Sequence, residues 1–90
     1  MYTIEATARF LRTAAKFFAR HEELRGRFTI VVDALRHDPF MPALKLHALK
    51  GRLAGLHAVR LTYQYRITLI VAVKGRRVTL IDIGSHDEVY

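Results

Sequence analysis

At Asp38 the hydrophobic period of this chain changes, and no single element of structure can span the change. Upstream, from about Ala8, apolar residues recur at i, i+3, i+4 and i+7, the spacing of a helix that buries one face. Downstream, apolar and polar residues alternate, as in a strand whose side chains point to opposite faces. Asp38-Pro39 and Pro42 mark the boundary, because proline lacks a backbone donor and pushes the preceding residue toward extended backbone. Helices first and strands afterwards make an α+β fold, in which the helices gather on one face of a sheet.

Before the boundary, Phe10, Leu11, Ala14, Phe17 and Phe18 form one stripe, with Arg9, Arg12, Lys16 and Arg20 on the opposite side. Thr7 is placed as the N-cap of this helix. After a turn at 19–22, Leu24, Phe28, Val31, Val32 and Leu35 form the stripe of a second helix, antiparallel to the first. Gly26 and the β-branched Thr29, Ile30, Val31 and Val32 lower its helix propensity, but the periodicity outweighs them. Ahead of both helices Tyr2, Ile4 and Ala6 alternate with Thr3, Glu5 and Thr7, a short edge strand. Beyond the prolines, Leu44, Leu46 and Ala48 alternate with Lys45 and His47, and Gly51 and Gly55 punctuate a loop. Val59 and Leu61 alternate with Arg60 and Thr62, and a turn near 63–65 leads into a strand from Arg66 to Val73. Gly75, within Lys74-Gly-Arg-Arg77, turns the chain into a last strand, Val78 to Ile83, ending at Gly84. The order β-α-α-β-β-β-β predicts a short N-terminal strand and a two-helix antiparallel hairpin packed on one face of a mainly antiparallel sheet of four or five strands.

Residues 1–90 read as a single domain, of a size that buries only about 60% of the unfolded surface. With 51% apolar residues the chain is a globular folder. It has no cysteine, so disulfides, thiolate metal sites and thiol nucleophiles are excluded. Its longest wholly apolar run, Leu69 to Val73, is far short of the ~20 residues of a membrane span. A cytoplasmic protein with no membrane partner is expected.

Charge is distributed unevenly. From Pro39 to Ile81 there is no Asp or Glu, while Lys45, Lys50, Arg52, Arg60, Arg66, Lys74, Arg76 and Arg77 fall in that span with His47 and His57. The remaining residues carry seven Lys and Arg against eight Asp and Glu, so the formal +7 charge divides into +8 on this stretch and −1 on the rest. A one-signed field of this kind concentrates phosphate and speeds its encounter, which points to a polyanion. Arg60, Thr62, Arg66 and Thr68 share one parity; with an odd number of residues in the turn between them they project from one face, opposite the helices. Lys45, Lys50, Arg52, His57, Arg76 and Arg77 are the expected RNA-binding residues.

The five histidines lack the spacings of zinc sites, and no phosphate-binding glycine loop or nucleophile elbow is present. Neither a metal nor another cofactor is expected. What remains suits cleavage of RNA by its own 2′-hydroxyl, which needs a base, an acid for the leaving 5′-oxygen, and cations to hold charge on phosphorus. His47 and His86 can carry the protons, since imidazole titrates near neutrality. Arg60, Arg66 and Lys50 can hold the phosphate, and Tyr90 can stack on a base. His21 and His37 fall at helix ends, where capping or solvation accounts for them.

Leu44-Lys-Leu-His47-Ala-Leu-Lys50-Gly51, Gly55, Arg60, Tyr65-Arg66-Ile67 and Ile83-Gly-Ser-His86-Asp-Glu-Val-Tyr90 occur in this order along the chain. Together they resemble the RelE/ParE superfamily of bacterial type II toxins, nearest the YafQ-like branch of ribosome-dependent mRNA interferases. The resemblance covers the whole chain and implies the RelE-like fold. It implies His86 as general acid, His47 as base or phosphate ligand, Arg60 and Arg66 as stabilisers of the transition state, and Tyr90 as the terminal aromatic of that branch. Where YafQ-like enzymes have a second catalytic histidine and an aspartate, this chain has Arg60 and Gln64. The implied partners are mRNA in the ribosomal A site and a cognate antitoxin whose partly disordered segment wraps the toxin. The alternatives are a ParE-like inhibitor of DNA gyrase that cleaves nothing and a decayed, RNA-binding homologue. A basic surface makes a measurable prediction: with about four phosphate contacts, log K for single-stranded RNA falls with log salt at a slope near −3. Titration of a labelled RNA across salt concentrations tests this, and an affinity indifferent to salt contradicts it.

Overall fold

The structure, a computed structural model, describes residues 1–85, and its elements follow in the order β1 (Thr3–Ala6), α1 (Ala8–Arg20), α2 (Arg25–His37), β2 (His47–Ala48), β3 (His57–Arg60), β4 (Tyr65–Ala72) and β5 (Arg77–Ser85). The strands form one sheet in the order β1-β5-β4-β3-β2. All adjacent pairs are antiparallel except β1 with β5, which run parallel from Thr3↔Arg77 to Ala6↔Leu80. This is the expected α+β arrangement, with β1 at an edge.

The entry into α1 follows from Thr7. Its backbone is extended, and its Oγ1 accepts the Phe10 N–H at 3.0 Å, satisfying one of the donors a helix start leaves unpaired. The same hydroxyl donates to the Leu80 carbonyl at 3.1 Å, and the Thr7 N–H reaches that carbonyl as well. One residue therefore ends β1, begins α1 and ties both to β5. α1 buries Phe10, Phe17 and Phe18, while Leu11, counted in the predicted stripe, is 61% exposed. Adjacent helical residues differ by about 100° in direction, and with Phe10 facing inward Leu11 falls outside the buried sector.

A 3₁₀ turn at Glu22–Leu24 joins the helices. Despite Gly26 and its β-branched run α2 forms, because Val31 and Leu35 reach the core and Phe28 lies against Phe10 (6.0 Å between centroids) and Phe18 (5.2 Å). These side chains pack on Val59, Ile67, Leu69, Val78, Leu80 and Ile83 of the sheet.

The predicted strand from Leu44 is the main departure. Pro42–Leu44 is a 3₁₀ turn, Lys45 takes a left-handed φ of 55°, and β2 is reduced to His47–Ala48. Pro42 at the start of the turn presets its φ, and the turn drives Leu44 into the core at 4% exposure. Leu61 and Thr62 lie in the bend after β3, and Val73 lies in the turn after β4. In that turn the positive φ is carried by Arg76 (50°) and not by Gly75. β5 continues through Gly84 to Ser85, and a bulge shifts the register between Thr68↔Asp82 and Leu69↔Leu80, leaving Ile81 as the extra residue. Among the described residues no helix is long and apolar enough to cross a membrane.

Replacing Thr7 by Ala is expected to cost ~1–2 kcal/mol, because the cap to Phe10 and the bond to Leu80 are lost together. Thr7→Ser should retain most of that stability. Urea unfolding of the three proteins decides whether the hydroxyl has this role.

Candidate functional site: a basic sheet face

Residues directly opposite on neighbouring strands share a face, and every second residue along a strand returns to it. Arg60 pairs with Arg66, and Arg66 with Gly84, so two guanidinium side chains and a residue without a side chain form one row across β3, β4 and β5. The next row on the same face contains His47, Ala58, Thr68 and Asp82. Opposed Cβ atoms lie about 4.5–5.5 Å apart, and like charges directly opposite destabilise a sheet. The number of residues between Arg60 and Arg66, 61–65, is odd, which produces the juxtaposition that the parity of the sequence anticipated. Arg60 also lies over the exposed ring of Tyr63, 6.0 Å from Cζ to the centroid.

His47 is exposed, and its Nδ1 is 2.9 Å from the Lys45 carbonyl. A carbonyl can only accept, so Nδ1 holds the proton in the neutral ring and Nε2 is the basic nitrogen. The left-handed backbone at Lys45 is part of this local loop. His47 lines a cavity of ≈ 370 Å³ with Leu49, Lys50 and Arg52. Gly51 has a φ of 68°, which a glycine adopts without strain, and it lies between the two exposed cations Lys50 and Arg52. Lys45, exposed in the same loop, completes the basic border.

Other expected site residues lie elsewhere. His57 pairs with Leu69 and Ala48, and shares its row parity with Val59, so it belongs to the helix-covered face and not to the face of His47. Its Nδ1 is buried and has no hydrogen-bond partner among the described residues. Arg77 pairs with Ala72 at the far end of the β4–β5 hairpin, about 20 Å along the strands from Arg66 at ~3.4 Å per residue, and Arg76 precedes it in the turn. Arg77 also forms an ion pair with Glu5 of β1 at 3.1 Å. Charge density alone brought these residues into one set; strand register separates them. His86 and Tyr90 lie outside the described residues.

One residue of the region, Asp82, was not singled out from sequence. Asp82 is 8% exposed in the His47 row; its Oδ2 is held by Arg9 of α1 at 3.0 Å and its Oδ1 accepts the Ile83 N–H. The signal was present, since Asp82 is a lone acid between Ile81 and Ile83 in an apolar strand. Thr68, 2% exposed in the same row, has a buried hydroxyl without a partner among the described residues. Burial of Ala58, Thr68 and Asp82 means that the basic face is open at its border and closed at its centre. Among the described residues no three His, Asp or Glu side chains are grouped to hold a metal ion.

The same arrangement of helices and strands occurs in known proteins. YafQ from Escherichia coli superposes with a TM-score of 0.80 over 100% of this chain and 99% of that chain, at 12% identity. This chain has the RelE/ParE-like toxin fold. A YoeB/ParE toxin from Agrobacterium tumefaciens matches with a TM-score of 0.75 at 22% identity, covering 93% of this chain and 98% of that one. The RelBE2 toxin–antitoxin complex from Mycobacterium tuberculosis matches with a TM-score of 0.68 at 20% identity, covering 94% and 98%. No protein-family model and no curated protein sequence matches the chain, so the relation to the RelE/ParE-like fold rests on structure.

Arg66→Lys keeps the charge of the central row but removes the planar fork that grips a phosphate at two points. RNA affinity is expected to fall roughly tenfold, equivalent to ~1.4 kcal/mol. Equal affinity of the two proteins, measured by anisotropy of a labelled single strand, would reduce Arg66 to a point charge.

Proposed function

We propose that this chain is the toxin of a type II toxin–antitoxin pair, and that it cuts mRNA in the ribosomal A site by attack of the RNA's own 2′-hydroxyl. The observation that carries this reading is the Arg60↔Arg66 pair, with His47 in the neighbouring row of the same face. In such a reaction the 2′-oxygen bonds to phosphorus as its proton leaves, the bond to the 5′-oxygen breaks, and that oxygen takes up a proton. The products are a 2′,3′-cyclic phosphate and a 5′-hydroxyl.

Each step has a matching group. Nε2 of His47 is the basic nitrogen, suited to accept the 2′-proton or to contact the phosphate. Arg60 and Arg66 stabilise the charge that develops on the phosphoryl oxygens. His86 is assigned as the acid and Tyr90 as a stacking residue from the sequence resemblance. Lys45, Lys50 and Arg52 lie beside His47 and extend the phosphate-binding border. The A site is a cytoplasmic address, and a ribosome-bound substrate supplies ordering that a free RNA lacks. An antitoxin partner is supported by the M. tuberculosis match, which is itself a toxin–antitoxin complex.

Primer extension on a reporter mRNA after brief induction of wild type and His86→Ala in a bacterial host tests the proposal. Cuts that follow the reading frame in wild type and vanish in a folded His86→Ala protein are expected, since a proton-transfer group contributes about 10²–10⁴ in rate. Intact mRNA with arrested growth and damaged DNA would transfer the assignment to gyrase inhibition.

A further inference from the structure

Tyr63 is 89% exposed, more than any other large apolar or aromatic side chain among the described residues, yet the bend that carries it is firmly held. The Thr62 hydroxyl accepts the N–H groups of Gln64 and Tyr65, each at 3.2 Å, and the Tyr65 carbonyl accepts those of Leu61 and Thr62. Arg27 of α2 donates to the Leu61 carbonyl at 3.1 Å, and the Leu61 side chain is fully buried. The backbone on both sides of the ring is anchored, while the ring belongs neither to the core nor to the residues packed against it.

Exposure alone says little, since single apolar residues are common on protein surfaces. The neighbour of Tyr63 gives it meaning. The Arg60 guanidinium lies over the ring, 6.0 Å from Cζ to the centroid, and Arg60 pairs with Arg66 across the strands. A guanidinium attracted to a ring by its charge keeps its N–H donors for a phosphate. A phosphate on the Arg60–Arg66 row therefore lies from the ring at a distance of the same order as that between phosphate and base within one nucleotide.

The surroundings select the occupant. Tyr63 is flanked by the polar Thr62 and Gln64 and by the buried Leu61, so the bend offers one ring and not the contiguous apolar patch that a protein partner covers. A nucleobase needs only one flat π-face, and the cation beside it suits the phosphate that accompanies the base.

We propose that Tyr63 is a base-stacking residue of the site, holding against its ring the base of a nucleotide that adjoins the phosphate on Arg60 and Arg66. The resemblance assigns stacking to Tyr90 alone; Tyr63 adds it from the β3–β4 bend. Stacking tolerates every base, so Tyr63 positions the strand and does not choose its sequence. This inference rests on the RNA reading of the site above, but not on cleavage.

The test measures anisotropy of two labelled RNA hexamers on the whole chain, both methylated at the 2′-oxygens to prevent cleavage, one carrying its bases and one abasic throughout. Tyr63→Ala is expected to weaken binding of the base-bearing strand roughly tenfold and to leave the abasic strand unchanged. Tyr63→Phe, which keeps the ring, should bind like wild type, and Tyr63→Leu, which keeps apolar bulk without a π-face, should bind like Tyr63→Ala. The chain has no tryptophan, so Tyr63→Trp places a lone indole at this position, and its emission should be quenched by the base-bearing strand and not by the abasic one. Equal loss on both strands, no loss on either, full affinity of Tyr63→Leu, or absence of quenching would each overturn the proposal. Quenching alongside intact mRNA in the primer-extension assay would remove the nuclease reading and keep the stacking; frame-following cuts without quenching would remove the stacking alone.

Discussion

A single hydroxyl, that of Thr7, joins the three parts on which the remainder of the fold is assembled. It caps α1 through the Phe10 N–H and holds β5 through the Leu80 carbonyl, so the helix cannot tilt without disturbing the sheet. β5 is bonded on both sides along its first half, to β1 and to β4, and its Val78, Leu80 and Ile83 form part of the floor on which the phenylalanines of α1 pack. Arg9 repeats the connection two residues further along, where Asp82 holds its guanidinium. The candidate site is built on the β3–β4 side of this frame, and its row of arginines includes Gly84 of β5.

The site combines a rigid part with a local one. Arg60 and Arg66 are fixed by ladder pairing between strands whose alternate residues are fully buried, Val59 and Ile67 among them. His47 is fixed differently, by a short loop in which Lys45 supplies the carbonyl that sets its tautomer. Placing two like charges opposite each other lowers the intrinsic stability of the ladder, and the apolar face behind it offsets the loss.

Features set by local rules were legible in the sequence. The cap at Thr7, both helices, the edge strand and the parity of Arg60 and Arg66 depend on neighbours within a few residues, and the structure contains all of them. The strand expected at Leu44 failed because three alternating residues fit a strand and a 3₁₀ turn followed by a left-handed residue equally well; Pro42 was the clue that favoured the turn. His57, Arg76 and Arg77 were grouped with the site by charge, a property that survives any folding of the chain. Their distance from it depends on register, which pairs Arg77 with Ala72 and turns His57 toward the helix side. The predicted stripe of α2 included Val31 and left out Ile30, and the burial of the first and exposure of the second follow it.

The parallel pairing of β1 with β5 also governs how the protein can fold. Thr7 and Leu80 are separated by 73 positions, so the edge of the sheet closes a loop that spans most of the chain. Loop closure of this length must precede the contacts that reward it, which slows folding and makes it cooperative. Without 77–85, β1 has no strand neighbour among the described residues, α1 loses the anchor of its cap, and the arginine row loses the strand that backs it. Proteolysis anywhere within β5 would therefore silence the whole protein in one step.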